Sequence, residues 1–489
     1  MSQSTKATVE QWGMFELSLV GTSQGNPFVE VTVSATFRHE HKQVRVTGFY
    51  DGDGIYKVRF SPCLLGEWEY WVDSNDGQLS GQFGQLLCTT ASGDNHGPVQ
   101  VVDNKRFAYA DGTPYIPVGT TSYGWLHQSE ELQSQTLQTL QNSPFNKIRM
   151  CIIMNDYGNS EPNGFPFVGS REAGFSLDTF DTAFFARLEQ RIEQLQAMQI
   201  EVDLIIFHPY DKGRWGLDRM PSEADDRYLR YVLARLSAYR NIWWSVANEY
   251  DFMEHKQMAD WDRLLQIIWN EDPHRRLSSI HNGTKMYDHA SVKLYDYAKP
   301  WITHCSTQHW DVSLVTQWQK QYNKPVVLDE CCYEGNMERR WGNLSGEEMT
   351  RRFWDGVTRG AFVSHGETYL ERSSELWLAR GGELVGDSIA RIAYMREIIE
   401  AAPAQYEYMP HVRDVPSIGV EGEYYLQYYG LHQPIFRYMD LPEGSTFRVE
   451  VIDTWNMEIV AVHEGKSGKF TLDLPGKPYI AVKMTKVGE

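Results

Sequence analysis

The chain has 489 residues, 42% hydrophobic and 23% charged, with a formal net charge of −19. This composition excludes a disordered polypeptide, and the length is too great for one ordinary domain. The acidic balance, with no basic cluster beyond pairs such as Arg339-Arg340 and Arg351-Arg352, argues against nucleic acid or an anionic membrane as a partner.

The chain starts MSQSTKATVEQWGMFEL, without a basic segment leading into an apolar one, and no stretch approaches the ~20 apolar residues of a membrane span. The six cysteines (63, 88, 151, 305, 331 and 332) are scattered without a CxxC, and adjacent Cys331 and Cys332 cannot easily pair. Reduced thiols in a cytoplasmic protein are the expectation.

Residues 1–95 read as an N-terminal β-sandwich of the fibronectin or immunoglobulin type. In QVRVTGFYDGDGIYKVRF, Val44 and Val46 and then Tyr56, Val58 and Phe60 alternate with polar residues around a DGDG turn. Trp68, Tyr70 and Val72 repeat the alternation. Residues 91–101, ASGDNHGPVQV, read as a linker.

From 105 to 402 short apolar strands alternate with helical segments. Eight strand candidates follow in order: YIPVGT, KIRMCII, EVDLIIF, IWWSVA, RLSSIH, WITHCS, PVVLDE and GAFVSH. Between the second and third, Phe184, Leu188, Ile192 and Leu195 recur at helical spacing. Eight such units predict an α/β fold, a (β/α)8 TIM barrel. A doubly wound sheet would share the alternation, but no glycine-rich phosphate loop follows any strand. Residues 405–489 return to alternating β patterns and predict a small C-terminal β-sandwich.

A barrel of this kind carries its site at the C-terminal strand ends. Those ends present Arg149 and Asp156 (strand 2), His208 (3), Asn248 and Glu249 (4), His281 (5), His309 and Trp310 (6), Glu330 (7), and His365 and Glu367 (8). Glu249 and Glu330 end the fourth and seventh strands, which face each other across the mouth. Two opposed carboxylates suit glycoside hydrolysis: the protonated one supplies a proton to the leaving oxygen while the ionised one attacks the anomeric carbon. Whether the outcome is retention or inversion depends on their separation, which the sequence does not contain. Arg149 is placed to keep Glu330 ionised, and the Trp243-Trp244 pair ahead of Glu249 suggests a dry site that raises its pKa. Side chains alternate along a strand, so only one of Asp329 and Glu330 is expected in the mouth. Glu334 reads as loop surface. Asn248 is expected to bond the sugar 2-hydroxyl. Tyr123, Trp125 and Trp310 are expected to stack on sugar rings, in keeping with 13% aromatic residues, although that content suits sandwich cores equally.

The stretches WWSVANEYDF, PVVLDECCYEGN and HGETYLERSSELWLARGGELVGDS resemble clan A glycoside hydrolases, and more closely the bacterial apiosidase-like and cellulase-like members built from a β-sandwich, a barrel and a C-terminal β domain. The resemblance spans essentially the whole chain. It implies that Glu249 is the acid/base and Glu330 the nucleophile of a retaining mechanism, with Arg149 the strand-2 arginine beside the nucleophile. It also implies a retaining enzyme acting on β-linked oligosaccharides derived from plant polysaccharides. The chain departs from that pattern after strand 6, where Gln308 precedes His309, and after strand 8, where His365-Gly366-Glu367 stands in place of a tryptophan.

Two alternatives stand beside this reading. One is a carbohydrate-binding protein with a decayed barrel. The other is a metal-dependent hydrolase using the histidines of the mouth, although those histidines lack H-E-x-x-H and H-x-H spacing. No cofactor and no metal are expected. The flanking domains leave room for glycan binding or a homo-oligomer.

Overall fold

The computed structural model describes residues 6–154, 162–283, 292–370, 376–410 and 414–488. The N-terminal domain pairs a five-stranded sheet with a three-stranded one around Phe37, Val58, Trp68 and Leu86. The strand Lys42–Thr47 lies in the larger sheet, and after Gly48 the chain crosses to the smaller one, where Phe49–Tyr50 pairs with Ile55–Phe60. Glycine is needed at that corner, since a Cβ on Gly48 would lie 2.7 Å from the Lys57 carbonyl oxygen. The DGDG turn therefore joins Phe49–Tyr50 to Ile55–Phe60.

The expected linker is partly structured. Val99–Val102, Arg106–Tyr109 and Pro114–Tyr115 form a three-stranded sheet. Its Val99, Phe107 and Tyr115 pack on Trp243, Leu277, Val327 and Phe362, which lie at the starts of barrel strands, so the sheet plugs the barrel floor. Tyr115 consequently belongs to the plug and not to the first barrel strand.

The barrel strands are β1 (Gly119–Thr121), β2 (Lys147–Cys151), β3 (Glu201–Phe207), β4 (Ile242–Ala247), β5 (Ser278–Ser279), β6 (Cys305–Gln308), β7 (Val326–Glu330) and β8 (Phe362–His365). All pair in parallel in the order β5-β4-β3-β2-β1-β8-β7-β6. A single parallel bridge, His281 to Ser306, spans the remaining gap between β5 and β6. Helices cover the outside. In Thr182–Ala197, Phe184, Leu188, Ile192 and Leu195 are buried, and the Asp181 side chain caps the first turn by accepting from the Phe184 N–H.

The barrel interior is not wholly apolar. Lys147 Nζ lies 2.7 Å from both Asp203 and Asp329, and Arg149 Nε lies 3.3 Å from Asp203. Each of these charges is buried and paired, the condition under which an interior tolerates them.

Six C-terminal strands form one sheet, faced by a two-stranded ribbon, around Phe447, Val449, Val451 and Val482. Tyr428 of this domain stacks on Trp354 of the barrel at 5.5 Å. The N-terminal domain is tied to the barrel by buried ions: Glu189 accepts from Arg59 and Arg235, and Arg235 also bonds Asp51 at 2.7 Å. No helix among the described residues is long and apolar enough to cross a membrane. All six cysteines are free thiols.

Candidate active site

Glu330 enters the barrel mouth because β7 carries a bulge. Thr307 pairs with Leu328, but Gln308 pairs with Glu330, so Asp329 is one residue too many for the ladder. Strict alternation would send only one of the two acids inward. The extra residue re-aims the strand end and both point in. Asp329 lies in the ionic layer, bonded by Lys147, Ser306 Oγ at 2.6 Å and Ser364 Oγ at 3.1 Å. Glu330 reaches the mouth, where three donors meet its Oε1: the Tyr123 hydroxyl, Arg149 Nη1 at 3.3 Å and His281 Nε2 at 3.3 Å.

Glu249 is placed by a different device. It follows β4 with φ of 46°, in the left-handed region, before a short 3-10 turn, Tyr250–Phe252. That backbone costs a non-glycine residue about 1 kcal/mol. Space for the side chain comes from Gly283, whose added Cβ would lie 2.5 Å from Glu249 Cβ. The carboxylate accepts from the Tyr210 hydroxyl and from the Gln308 amide.

These residues close into a ring around the two acids. Arg149 Nη2 donates to Asn248 Oδ1 at 2.9 Å, and Asn248 Nδ2 lies 3.1 Å from the Tyr210 hydroxyl, which bonds Glu249. On the other side Gln308 links Glu249 to His281, 3.4 Å from Gln308 Oε1, and His281 reaches Glu330. The two carboxyls are driven apart in acidity. Burial, then the charge of Glu330, raises Glu249 to about 8. Burial also penalises charge on Glu330, but the hydrogen bond and charge of His281, the charge of Arg149 and the Tyr123 bond outweigh it and lower that carboxyl to about 2. The charges of Lys147 and Arg149 likewise outweigh burial and hold Asp329 well below the carboxylate range.

The tryptophan pair does not supply the dryness of Glu249. Trp243 lies on the barrel floor, bonded to Glu201 at 2.9 Å, and Trp244 bonds Asp272 at 2.9 Å. Other expectations also need correcting. Trp125 is fully buried with its Nε1 3.2 Å from Met150 Sδ, so it is core and not a sugar platform. Tyr123 uses its hydroxyl on Glu330 and is buried, which makes it a carboxylate partner. His208 is held between backbone groups, the Ile153 carbonyl at 2.9 Å and the Tyr210 N–H at 3.1 Å. It therefore positions Tyr210. His365 points outward to Thr120 and stacks on Phe145 at 4.8 Å, and burial lowers its pKa to about 3. Glu367 accepts from the Val385 and Gly386 N–H groups and pins that loop. Glu334 is buried, accepting from Tyr369, Asp387 and Ser388 at the start of helix Ser388–Glu400. His309 is buried with Nδ1 accepting from the Asp311 N–H, and Trp310, half-buried, stacks on it at 5.9 Å. Asp156 lies outside the described residues. Burial pushes the Cys331 thiol up to about 12, far from nucleophilic use. Among the described residues no three His, Cys, Asp or Glu side chains are grouped to hold a metal ion.

Tyr210 and the role of Gln308 escaped the sequence reading. Tyr210 stands three residues past the end of β3, beyond His208, the polar residue at that strand end.

Residues 102–383 match the apiosidase-like catalytic domain family. The chain belongs to the apiosidase-like glycoside hydrolases. Around this catalytic domain, residues 8–75 and 413–485 match two domains of unknown function, DUF5060 and DUF5605. A crystal structure of a candidate glycoside hydrolase from Bacteroides vulgatus ATCC 8482 is 38% identical, covering 99% of this chain and 100% of its own, with a TM-score of 0.92. A family 5 glycoside hydrolase of the same organism shares the fold at 12% identity and a TM-score of 0.59, over 80% of this chain and 94% of its own. No curated protein sequence matches the apiosidase-like chain. It is a glycoside hydrolase with a carbohydrate substrate.

Proposed function

We propose that the enzyme is a retaining glycosidase that uses Glu330 as nucleophile and Glu249 as acid/base on β-linked oligosaccharides derived from plant polysaccharides. The observation that carries this reading is the divergence of two carboxyls in one mouth: Glu249 raised to about 8 and Glu330 lowered to about 2. A protonated acid and an ionised nucleophile are thereby available together over the neutral range.

In the first step Glu330 attacks the anomeric carbon as Glu249 protonates the departing oxygen. Tyr123, Arg149 and His281 all bond Oε1 of Glu330, so Oε2 is the attacking atom. In the second step Glu249, now ionised, takes a proton from water, which attacks the glycosyl-enzyme and releases a sugar of unchanged anomeric configuration. Arg149 engages Asn248 Oδ1, which turns Nδ2 toward Tyr210 and the mouth, where it donates to the sugar 2-hydroxyl. Trp310, half-buried beside His309, is the aromatic residue assigned here to stack on a sugar ring. The linkage and plant-polysaccharide assignments rest on the apiosidase-like family.

The test is a panel of aryl β-glycosides with Glu249→Gln and Glu330→Gln, with product anomer followed by NMR. Each variant is expected to lose turnover, and wild type to release the substrate's own anomer first. Two variants of wild-type activity, or first release of the opposite anomer, would overturn the reading.

A further inference from the structure

Below the two glutamates, β6, β7 and the segment that follows β5 contribute a line of side chains, of which the proposed reaction uses only His281, as a donor to Glu330. Asp329 Oδ2 accepts from Ser306 Oγ at 2.6 Å. A serine hydroxyl has one proton, and here it is committed to a carboxylate. His281 Nδ1 lies 3.1 Å from the same Oγ, so the oxygen accepts and Nδ1 carries a proton. On the far side of the ring, Nε2 lies 3.3 Å from Glu330 Oε1 and 3.4 Å from Gln308 Oε1. The Gln308 amide is oriented by its own donations, from Nε2 to the Gly283 carbonyl at 3.2 Å and to Glu249, which leaves Oε1 toward the ring. Both neighbours of Nε2 are acceptors, so this nitrogen also carries a proton.

We propose that Asp329, acting through Ser306, holds His281 as a donor from both ring nitrogens, making Asp329–Ser306–His281 a positioning relay that clamps Glu330. The relay rests on the assignment of Glu330 as nucleophile. The charged groups around His281 are Glu330 directly and Asp329 through Ser306; Arg149 from β2 meets the same Oε1 of Glu330, and Lys147 anchors the far oxygen of Asp329 at 2.7 Å. A ring with two protons balances the interior: Lys147, Arg149 and His281 against Asp203, Asp329 and Glu330. Tyr297 supports the line from outside, its hydroxyl set between the Ser306 and Ile280 carbonyls. The clamp holds one oxygen of Glu330 and leaves the other for the anomeric carbon, and it favours Glu330 as a leaving carboxylate in the second step.

Two measurements test it. The first reads the wild-type enzyme: the ring nitrogens of His281, observed by 15N NMR and assigned by their loss in His281→Gln, are expected both to be protonated where the enzyme is active. A ring with one proton there overturns the proposal. The second compares pH profiles of kcat/KM. Ser306→Ala is expected to move the acid limb upward by about one pH unit, the size of one lost charged hydrogen bond on Glu330. Ser306→Thr, which keeps the hydroxyl, returns the limb to its wild-type place. A purely structural role lowers activity without moving the limb, and an unmoved limb in Ser306→Ala overturns the relay. If Glu330→Gln retains turnover, the nucleophile assignment fails, an outcome separate from the state of the His281 ring.

Discussion

Gly283→Ala is a sharp perturbation of the acid/base because it changes no polar group. Its new Cβ would stand 2.5 Å from Glu249 Cβ, 2.7 Å from Glu249 Cγ and 2.8 Å from a ring carbon of Phe252. Carbon atoms settle at roughly 3.5–4.0 Å, so the chain must open by about 1–1.5 Å at the base of Glu249. Glu249 has little freedom to yield without leaving its place, since its backbone is held at φ 46° and its carboxylate between Tyr210 and Gln308. A displacement of ~1 Å in a reacting group costs on the order of 100-fold in rate, and overpacking of this kind destabilises by about 1–3 kcal/mol. The assay is kcat/KM on two aryl glycosides of one sugar, one with a poor and one with a good leaving group, together with urea unfolding. The loss is expected to be large on the poor leaving group, which needs the proton of Glu249, and small on the good one. Unchanged turnover of the poor substrate would refute the placement of Glu249 against Gly283. Equal losses on both would refute its acid role.

The hydroxyls on the two carboxyls set the limbs of the pH profile. Activity falls as pH drops through the lowered value of Glu330, so Tyr123→Phe, which removes a bond favouring the ionised form, moves the acid limb upward by about 1–2 units. Activity also falls as pH rises through about 8, where Glu249 loses its proton, and Tyr210→Phe removes a bond that lowers Glu249, so the basic limb moves upward as well. Profiles of the two variants that coincide with wild type would contradict both statements. Lys147→Met leaves Asp203 and Asp329 buried with Arg149 as the remaining cation paired with them directly, and a loss of about 3–5 kcal/mol in urea unfolding is expected. Wild-type stability would show that the ionic layer is not needed.

The fold was legible in the sequence because its signal is local. Each of the eight apolar runs could be read without its neighbours, and their order placed the fourth and seventh strands opposite each other. Glu249 and Glu330 were visible as carboxylates ending apolar strands. What the sequence concealed depends on register and partners. The β7 bulge, which sends Asp329 and Glu330 the same way, exists only in the pairing with β6, and alternation along one strand predicts the opposite. His365 ends its strand as His281 does, yet it lies on the outward face against Phe145 while His281 faces Glu330. Residue type at a strand end does not distinguish them. Glu334 and Glu367, read as surface or substrate contacts, are buried acceptors for backbone N–H groups of a distant loop, a role with no sequence pattern of its own. Tyr210 was missed because it lies past the strand, where the chain turns back over Glu249.

The division of labour between the two glutamates is tested most directly by chemical rescue. Glu249→Ala and Glu330→Ala are each assayed on an aryl β-glycoside with azide, and the anomer of the glycosyl azide is read by NMR. With Glu330 intact, azide intercepts the glycosyl-enzyme, so Glu249→Ala is expected to give the β-azide. Without the nucleophile, azide attacks directly, so Glu330→Ala is expected to give the α-azide. The opposite pairing of anomer and variant would contradict the account.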